Sequence, residues 1–213
     1  GVSTWADKSG EGNDALQTID SSRPTVSTHN NNQSIFFDGS SDYFTADSAL
    51  SLFHNPHTLF MVAHMENGAQ STIVFLGNGN NYDSYGYTDA NPGIFLYDNG
   101  NGNRNYISST EFDGNSIYDD HFILASVASG STLKPYINGD TGIASIADTI
   151  NTSTSNIAIG ADIDGGPSYN NWMQGDFQEI LMFDSALSET DVTRVNTYLG
   201  QKYNIALDTS QTG

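Results

Sequence analysis

Two acidic stretches carry oxygen side chains at a spacing that suits a hard cation. Asp162 and Asp164 stand two residues apart and are followed by Gly165 and Gly166, a sharp-turn sequence. Asp7, Ser9 and Glu11 occupy positions one, three and five of a second stretch, with Gly12 at position six. That is how a calcium-binding EF-hand loop begins, but Thr18 stands where the bidentate Glu of such a loop belongs, so the strongest ligand is missing. Calcium is therefore expected at Asp162 and Asp164, with Asp7, Ser9 and Glu11 as the weaker site. The plain alternative for both is an Asx-type turn in an Asp-rich protein.

Three polar stretches combine flat rings with planar amides and carboxylates, the groups that meet the apolar face and the hydroxyls of a sugar. The first, between Gly77 and Gly93, holds Asn80, Asn81, Tyr82, Asp83, Tyr85 and Tyr87. The second, from Asp98 to Asn105, holds Asn101, Asn103 and Arg104. The third, from Ala161 to Gln174, holds Tyr169, Asn170, Asn171 and Trp172. The competing reading is three surface loops whose aromatics fold back onto the core, Trp172 above all.

Composition narrows the rest. There are 25 acidic residues, mostly Asp, against 6 basic ones, for a net charge of −19. Nucleic acid is a poor partner because no basic patch could neutralise phosphates. The same argument disfavours an anionic membrane surface, and no apolar run approaches the ~20 residues that span a bilayer. The absence of Cys excludes a disulfide framework and Cys-type zinc sites. The five histidines (His29, His54, His57, His64 and His121) have no motif-like context. They read as surface or strand residues, with His54 and His57 in a short turn around Pro56.

Strands must position these groups. Thr58 to His64, Thr72 to Leu76, Ile94 to Tyr97, Phe122 to Val127, Leu133 to Ile137 and Asn156 to Gly160 are apolar runs of strand length. Ile35 to Phe37 and Tyr43-Phe44 flank Asp38-Gly39, a hairpin signal. Pro135 inside a run predicts an edge or a bulge. Gly175 to Asp184 predicts a strand buried on both faces, with Phe177, Leu181 and Phe183 on one side and Gln178, Ile180 and Met182 on the other. A helix should follow, capped by Ser188 with Asp191 in the capping-box place, and Gly200 is placed to end it.

The run Gly175-Asp176-Phe177-x-Glu179-Ile180 through Phe183, Leu187-Ser188 and Asp191-Val192, then Tyr198 to Ile205, resembles the closing segment of laminin-G-like domains. Trp5-Ala6-Asp7-Lys8-Ser9-Gly10-Glu11-Gly12-Asn13 is similar to a motif near their start, and Tyr136-Ile137-Asn138-Gly139 to one of their turns. The resemblance implies an all-β, two-sheet antiparallel jelly-roll sandwich of the concanavalin A-like lectin/glucanase superfamily, with one short C-terminal helix. It covers residues 1–207 and leaves 208–213 as tail or linker. Retaining glucanases of that superfamily carry Glu-x-Asp-x-x-Glu on one strand. Here Glu111-Phe112-Asp113 begins the pattern, but Asn115 and Ser116 stand where the second Glu belongs. A lyase would need clustered Arg, His, Gln and Tyr, hard to assemble from Arg23, Arg104 and Arg194.

The functional expectation is a non-catalytic carbohydrate-binding module of a larger exported protein. It would act outside the cell or at its surface, with calcium as its cofactor and a glycan and neighbouring domains as partners. A structural or adhesion domain with protein partners and no sugar site is the alternative. A glycoside hydrolase or polysaccharide lyase ranks third.

Overall fold

The computed structural model describes residues 1–46, 56–66, 71–76, 84–88, 93–98, 104–108, 120–140, 146–147, 157–164, 168–170 and 172–208. The first strands are β1 (Thr4–Trp5), β2 (Ala15–Leu16), β3 (Thr25–His29), β4 (Asn32–Asp38), β5 (Phe44–Ala46) and β6 (His57–Met65). Next come β7 (Ser71–Leu76), β8 (Ser84–Thr88), β9 (Gly93–Asp98), β10 (Arg104–Ser108), β11 (Phe122–Ser129) and β12 (Thr132–Ile137). The chain ends with β13 (Ile146–Ala147), β14 (Ile157–Ile159), β15 (Asp162–Asp164), β16 (Ser168–Asn170), β17 (Gln174–Phe183) and the helix α1 (Glu189–Tyr203). One sheet runs β1-β2-β5-β14-β7-β8-β9-β10 and the other β13-β12-β11-β6-β17-β4-β3; all pairings are antiparallel. The jelly-roll-like sandwich expected from the sequence is the one observed.

The main core lies between the sheets. Phe37, Leu59, Met61, Ala63, Met65, Leu124 and Phe177 from one sheet meet Ala15, Phe44, Ala46, Ile157 and Ile159 from the other. A second cluster lies on the outer face of the seven-stranded sheet, where α1 lays Val192, Leu199 and Tyr203 over Phe60, Val62, Ile123, Ala125 and Tyr136. Each Val, Leu, Ile, Met or Phe among them, fully buried, contributes about 1.5–3 kcal/mol by removal of apolar area from water. Because β6 and β17 separate the two clusters, both are apolar on two faces, as expected for β17.

The faces of β17 are assigned differently from the sequence alternation. Phe177 pairs with Ala63 and Glu179 with Val62, so Gln178 is an extra residue in a β-bulge. The bulge inverts the parity of everything after it. Phe177 shares the inter-sheet core with Ile180 and Met182, while Leu181 and Phe183 turn to the helix side.

Other expectations are corrected in the same way. Asp38-Gly39 does not turn a hairpin: β4 belongs to the seven-stranded sheet and β5 to the eight-stranded one, so the chain crosses between layers here. The Asp38 carboxylate accepts from the Ser40 and Ser41 amides at 2.9 and 2.8 Å and from the Ser40 hydroxyl at 2.6 Å. Burial alone would raise its pKa, but these bonds outweigh it and bring the carboxyl down to about 2. The hairpin sits one step earlier, between β3 and β4, where Asn30 and Asn31 both take positive φ (48° and 63°) as a two-residue primed turn requires. His57 lies in β6, buried and paired with Ala128, rather than in a turn. β12 is not the edge strand of its sheet: it lies between β13 and β11, and Pro135 pairs with Ser126 of β11 beyond Thr132 and Leu133, the described residues that β13 pairs.

Helix α1 begins as predicted. Ser188 is its N-cap and accepts from Asp191 N at 3.2 Å, while its hydroxyl donates to Asp191 Oδ2 at 2.7 Å. Ser188→Ala should cost about 1 kcal/mol, read as a lower denaturation midpoint at unchanged slope. An unchanged midpoint would mean the cap contributes nothing. Gly200 does not end the helix, which runs on to Tyr203 and closes on Asn204 in the left-handed conformation, φ 57°. Gly200 serves packing instead: a Cβ there would stand 3.0 Å from both Ile205 O and Leu207 Cγ. Leu207 packs on the helix-side cluster and Asp208 N donates to Asn138 O at 2.8 Å. Residues 209–213 lie outside the described residues.

Candidate functional site

The first and third polar stretches are not plain loops. Ser84 to Thr88 form β8, and Asp162 to Asn170 contribute the two strands of a separate hairpin, β15–β16. Tyr85 and Tyr87 occupy alternate positions of β8, opposite Leu96 and Ile94. Tyr85 also pairs with Val74, which pairs with Ile159 of the inter-sheet core. Arg104 opens β10 opposite Asp98, at a register shift. Tyr82, Asp83, Asn101, Asn103 and Asn171 lie outside the described residues, as do Glu111 and Asp113.

In the third stretch, Asp162 pairs with Asn170 and Asp164 with Ser168, so positions 162 and 164 share one face of the β15–β16 ribbon. Tyr169 takes the alternate register, opposite Ile163. Trp172 follows the ribbon. It is half-buried, with its ring 5.9 Å from that of Tyr43 at an interplanar angle of 48°. Met173 fixes the junction, receiving in its carbonyl the Gly39 amide at 2.9 Å and giving its own amide to Gly160 O at 2.8 Å. Trp172 is thus neither a core residue nor a free loop ring: one side leans on Tyr43 and part of it meets solvent.

The Asp7 stretch has the geometry of a closed Asx-type turn. Asp7 Oδ1 accepts from Ser9 N at 2.8 Å, and Oδ2 from the Ser9 hydroxyl at 2.7 Å and from Asn13 N at 3.0 Å. Glu11 N donates to Ser9 Oγ at 3.2 Å. The Ser9 hydroxyl, then the Ser9 and Asn13 amides, hold the Asp7 carboxyl below the usual carboxylate range.

The sequence gives no local signal for the most concentrated polar cluster among the described residues. It lies on the outer face of the seven-stranded sheet, beyond Phe60 and Val62 on β6. Asp176 of β17 is buried and stands opposite His64 of β6. His121, at the entrance to β11, bonds Asp176 Oδ1 through Nε2 at 2.6 Å, and His64 Nδ1 lies 3.6 Å from Oδ2. Asp120 Oδ1 accepts from the His121 amide at 2.8 Å and meets His29 Nε2 at 2.7 Å. The His29 and His121 rings lie 4.1 Å apart, centre to centre. Gln178, the bulged residue, donates to His29 O at 3.2 Å.

Burial disfavours the charge on Asp176, but the hydrogen bonds from His121 and His64 outweigh that cost and hold its carboxyl well below the usual carboxylate range. Asp120 is lowered as well: burial opposes its charge, and the His121 amide and the His29 ring overcome it. The ligand atoms of His29, Asp120 and His121 all lie within 4.8 Å of one another. Three strands, β3, β6 and β17, and the segment leading to β11 bring the cluster together, so no spacing in the sequence could announce it.

The chain belongs to the laminin-G-like family of the concanavalin A-like lectin/glucanase superfamily, whose pattern matches residues 38–193. No curated protein sequence matches it. Among solved structures it is similar to botulinum neurotoxin type C, whose uptake into cells depends on interaction with two ganglioside molecules, at 14% identity and TM-score 0.59 over 93% of this chain and 51% of that one. It is similar to the binding domain of botulinum neurotoxin DC in complex with rat synaptotagmin II, at 14% identity and TM-score 0.60 over 92% of this chain and 51% of the other. It is also similar to the NanB sialidase of Streptococcus pneumoniae, at 20% identity and TM-score 0.55 over 75% of this chain and 27% of the sialidase. The chain spans about half the length of the toxin structures it matches. At these identities the likeness is one of fold. Among the described residues, no helix is long and apolar enough to cross a membrane.

Proposed function

We propose that the chain is a non-catalytic carbohydrate-recognition module of a larger exported protein, acting outside the cell or at its surface. A glycan and the neighbouring domains of the longer chain are its partners. The observation that carries this reading is Trp172, a half-buried ring braced on Tyr43 beside the β15–β16 ribbon, in a chain of a lectin superfamily. A braced, part-exposed indole offers a flat apolar face at little entropic cost. In the sequence around it, the carboxylates of Asp162 and Asp164 and the amides of Asn170 and Asn171 are groups that match hydroxyls. Calcium is the cation proposed for Asp162 and Asp164, which share a face of the ribbon. The ganglioside dependence of the similar neurotoxin type C supports the glycan reading.

The alternative, a structural or adhesion domain that binds protein and no sugar, draws its support from the similar toxin domain seen with synaptotagmin II. A glycan array run in calcium and in EDTA separates the two. The native chain should give specific hits, Trp172→Ala should weaken them roughly 30-fold as loss of a central aromatic anchor does, and Asp162→Asn/Asp164→Asn should remove the calcium dependence. A silent array, together with saturable binding to a defined protein, sinks the glycan reading.

A further inference from the structure

The geometry points to a transition-metal site of the Zn2+ class on the outer face of the seven-stranded sheet, with His29, Asp120 and His121 as its protein ligands. Three features converge there. The three residues already bring one ligand atom each to within 4.8 Å of one another. His121 has a side chain only 1% exposed, and its Nδ1 has no hydrogen-bond partner among the described residues, an unpaired buried polar atom that calls for a physical reason. The other nitrogen of that ring, Nε2, is engaged by the buried carboxylate of Asp176 at 2.6 Å.

A carboxylate accepts and does not donate, so Asp176 fixes the proton on His121 Nε2 and leaves a lone pair on Nδ1. Carboxylate, imidazole, then metal is the arrangement by which metal-binding histidines are oriented and made more basic. Asp176 therefore acts as a positioning residue for His121. His29 and Asp120 supply the adjustable half of the site: their side chains are 36% and 64% exposed. Bonds of about 2.0–2.1 Å in a tetrahedron set ligand atoms roughly 3.3 Å apart. The 2.7 Å contact between His29 Nε2 and Asp120 Oδ1 would open as the ion replaces the proton they share, and the wider separations would close. Two imidazoles with one carboxylate suit zinc and its first-row neighbours, whereas calcium takes oxygen ligands. Three protein ligands leave the fourth position to water on the exposed Asp120 side.

The test uses the 213-residue chain, freed of metal with EDTA and exchanged into buffer near pH 7.5, where imidazoles bind metal as neutral ligands. Zinc chloride is titrated calorimetrically in physiological salt with excess Mg2+, so that general screening of an acidic protein is already saturated. One Zn2+ per chain should bind, Co2+ should give the visible absorption of a four-coordinate ion, and Zn2+ should raise the melting temperature of the native chain but not of His29→Ala or Asp120→Asn, whereas any Ca2+ shift should be the same in all three. His29→Ala and Asp120→Asn should each weaken binding at least about tenfold. In EDTA both should melt like the native chain. Imidazole nitrogen NMR of the native chain does not depend on variants folding: Zn2+ should shift His29 Nε2 and His121 Nδ1. Absence of saturable one-to-one binding, retention of native affinity in both variants, or shifts confined to other histidines would each overturn the site.

Discussion

Gly175→Ala is expected to remove most of the stability of this fold. Gly175, the second residue of β17, takes φ 150°, a region that side chains rarely enter, and it is buried between Met65 of β6 and Phe37 of β4. A Cβ there would lie 2.2 Å from His64 O and 3.1 Å from Met65 Cα. Both obstacles are backbone of a central strand, so no side-chain rotation relieves them. Backbone strain of about 1–3 kcal/mol for a non-Gly residue adds to the cost of pushing β17 off β6. A total of about 4 kcal/mol or more is expected, against the 5–15 kcal/mol that usually separates folded from unfolded domains. The damage would reach Asp176 and the His121 contact next to it. Urea denaturation of the purified variant measures this, and a midpoint close to the native one would show that β17 and β6 do not approach so closely.

What was legible in the sequence follows from what is local. The Ser188 cap and the strand-length apolar runs depend on residues within a few positions of one another, and the structure has them. The errors arise where a distant partner decides. One bulged residue, Gln178, reverses the faces of half of β17, and nothing in an alternating apolar run marks a bulge before its partner strand is known. Asp38-Gly39 makes a tight turn whether the chain returns to the same sheet or crosses to the other, and the pairing of β4 with β17 makes that choice. Gly200 reads as a helix stop but is small because Ile205 and Leu207 fold back on it.

The candidate sites divide along the same line. The acidic and aromatic stretches could be named from composition, because loop chemistry is written in consecutive residues. The His29, His64, His121, Asp120 and Asp176 cluster could not. The contact between His29 and Asp120 alone joins residues 91 positions apart. Strand order alone brings them together.

Phe177→Ala should cost about 3–5 kcal/mol, the usual range for deleting a fully buried phenyl ring. Phe177 has no exposed surface and sits where three aromatic rings converge. Phe37 meets it edge-on at 5.7 Å, and Trp5 stacks on it at 6.2 Å. Phe44 of the opposite sheet contacts both of those rings, at 5.9 Å from Phe37 and 6.3 Å from Trp5. Phe177 therefore joins the start of the chain to its last strand and one sheet to the other, and the cavity left by alanine would have rigid strands on every side. In a domain of this size each kcal/mol lowers the melting temperature by roughly 2–4 °C, so a drop of about 6–20 °C is expected. A double-mutant cycle with Trp5→Ala isolates the stacked pair, for which aromatic geometry adds roughly 0.5–1.5 kcal/mol beyond area. Additive losses in that cycle would mean that Trp5 and Phe177 only share a neighbourhood. A melting temperature within a few degrees of native for Phe177→Ala would mean that the core closes over the gap and that the aromatic cluster does not hold the two sheets together.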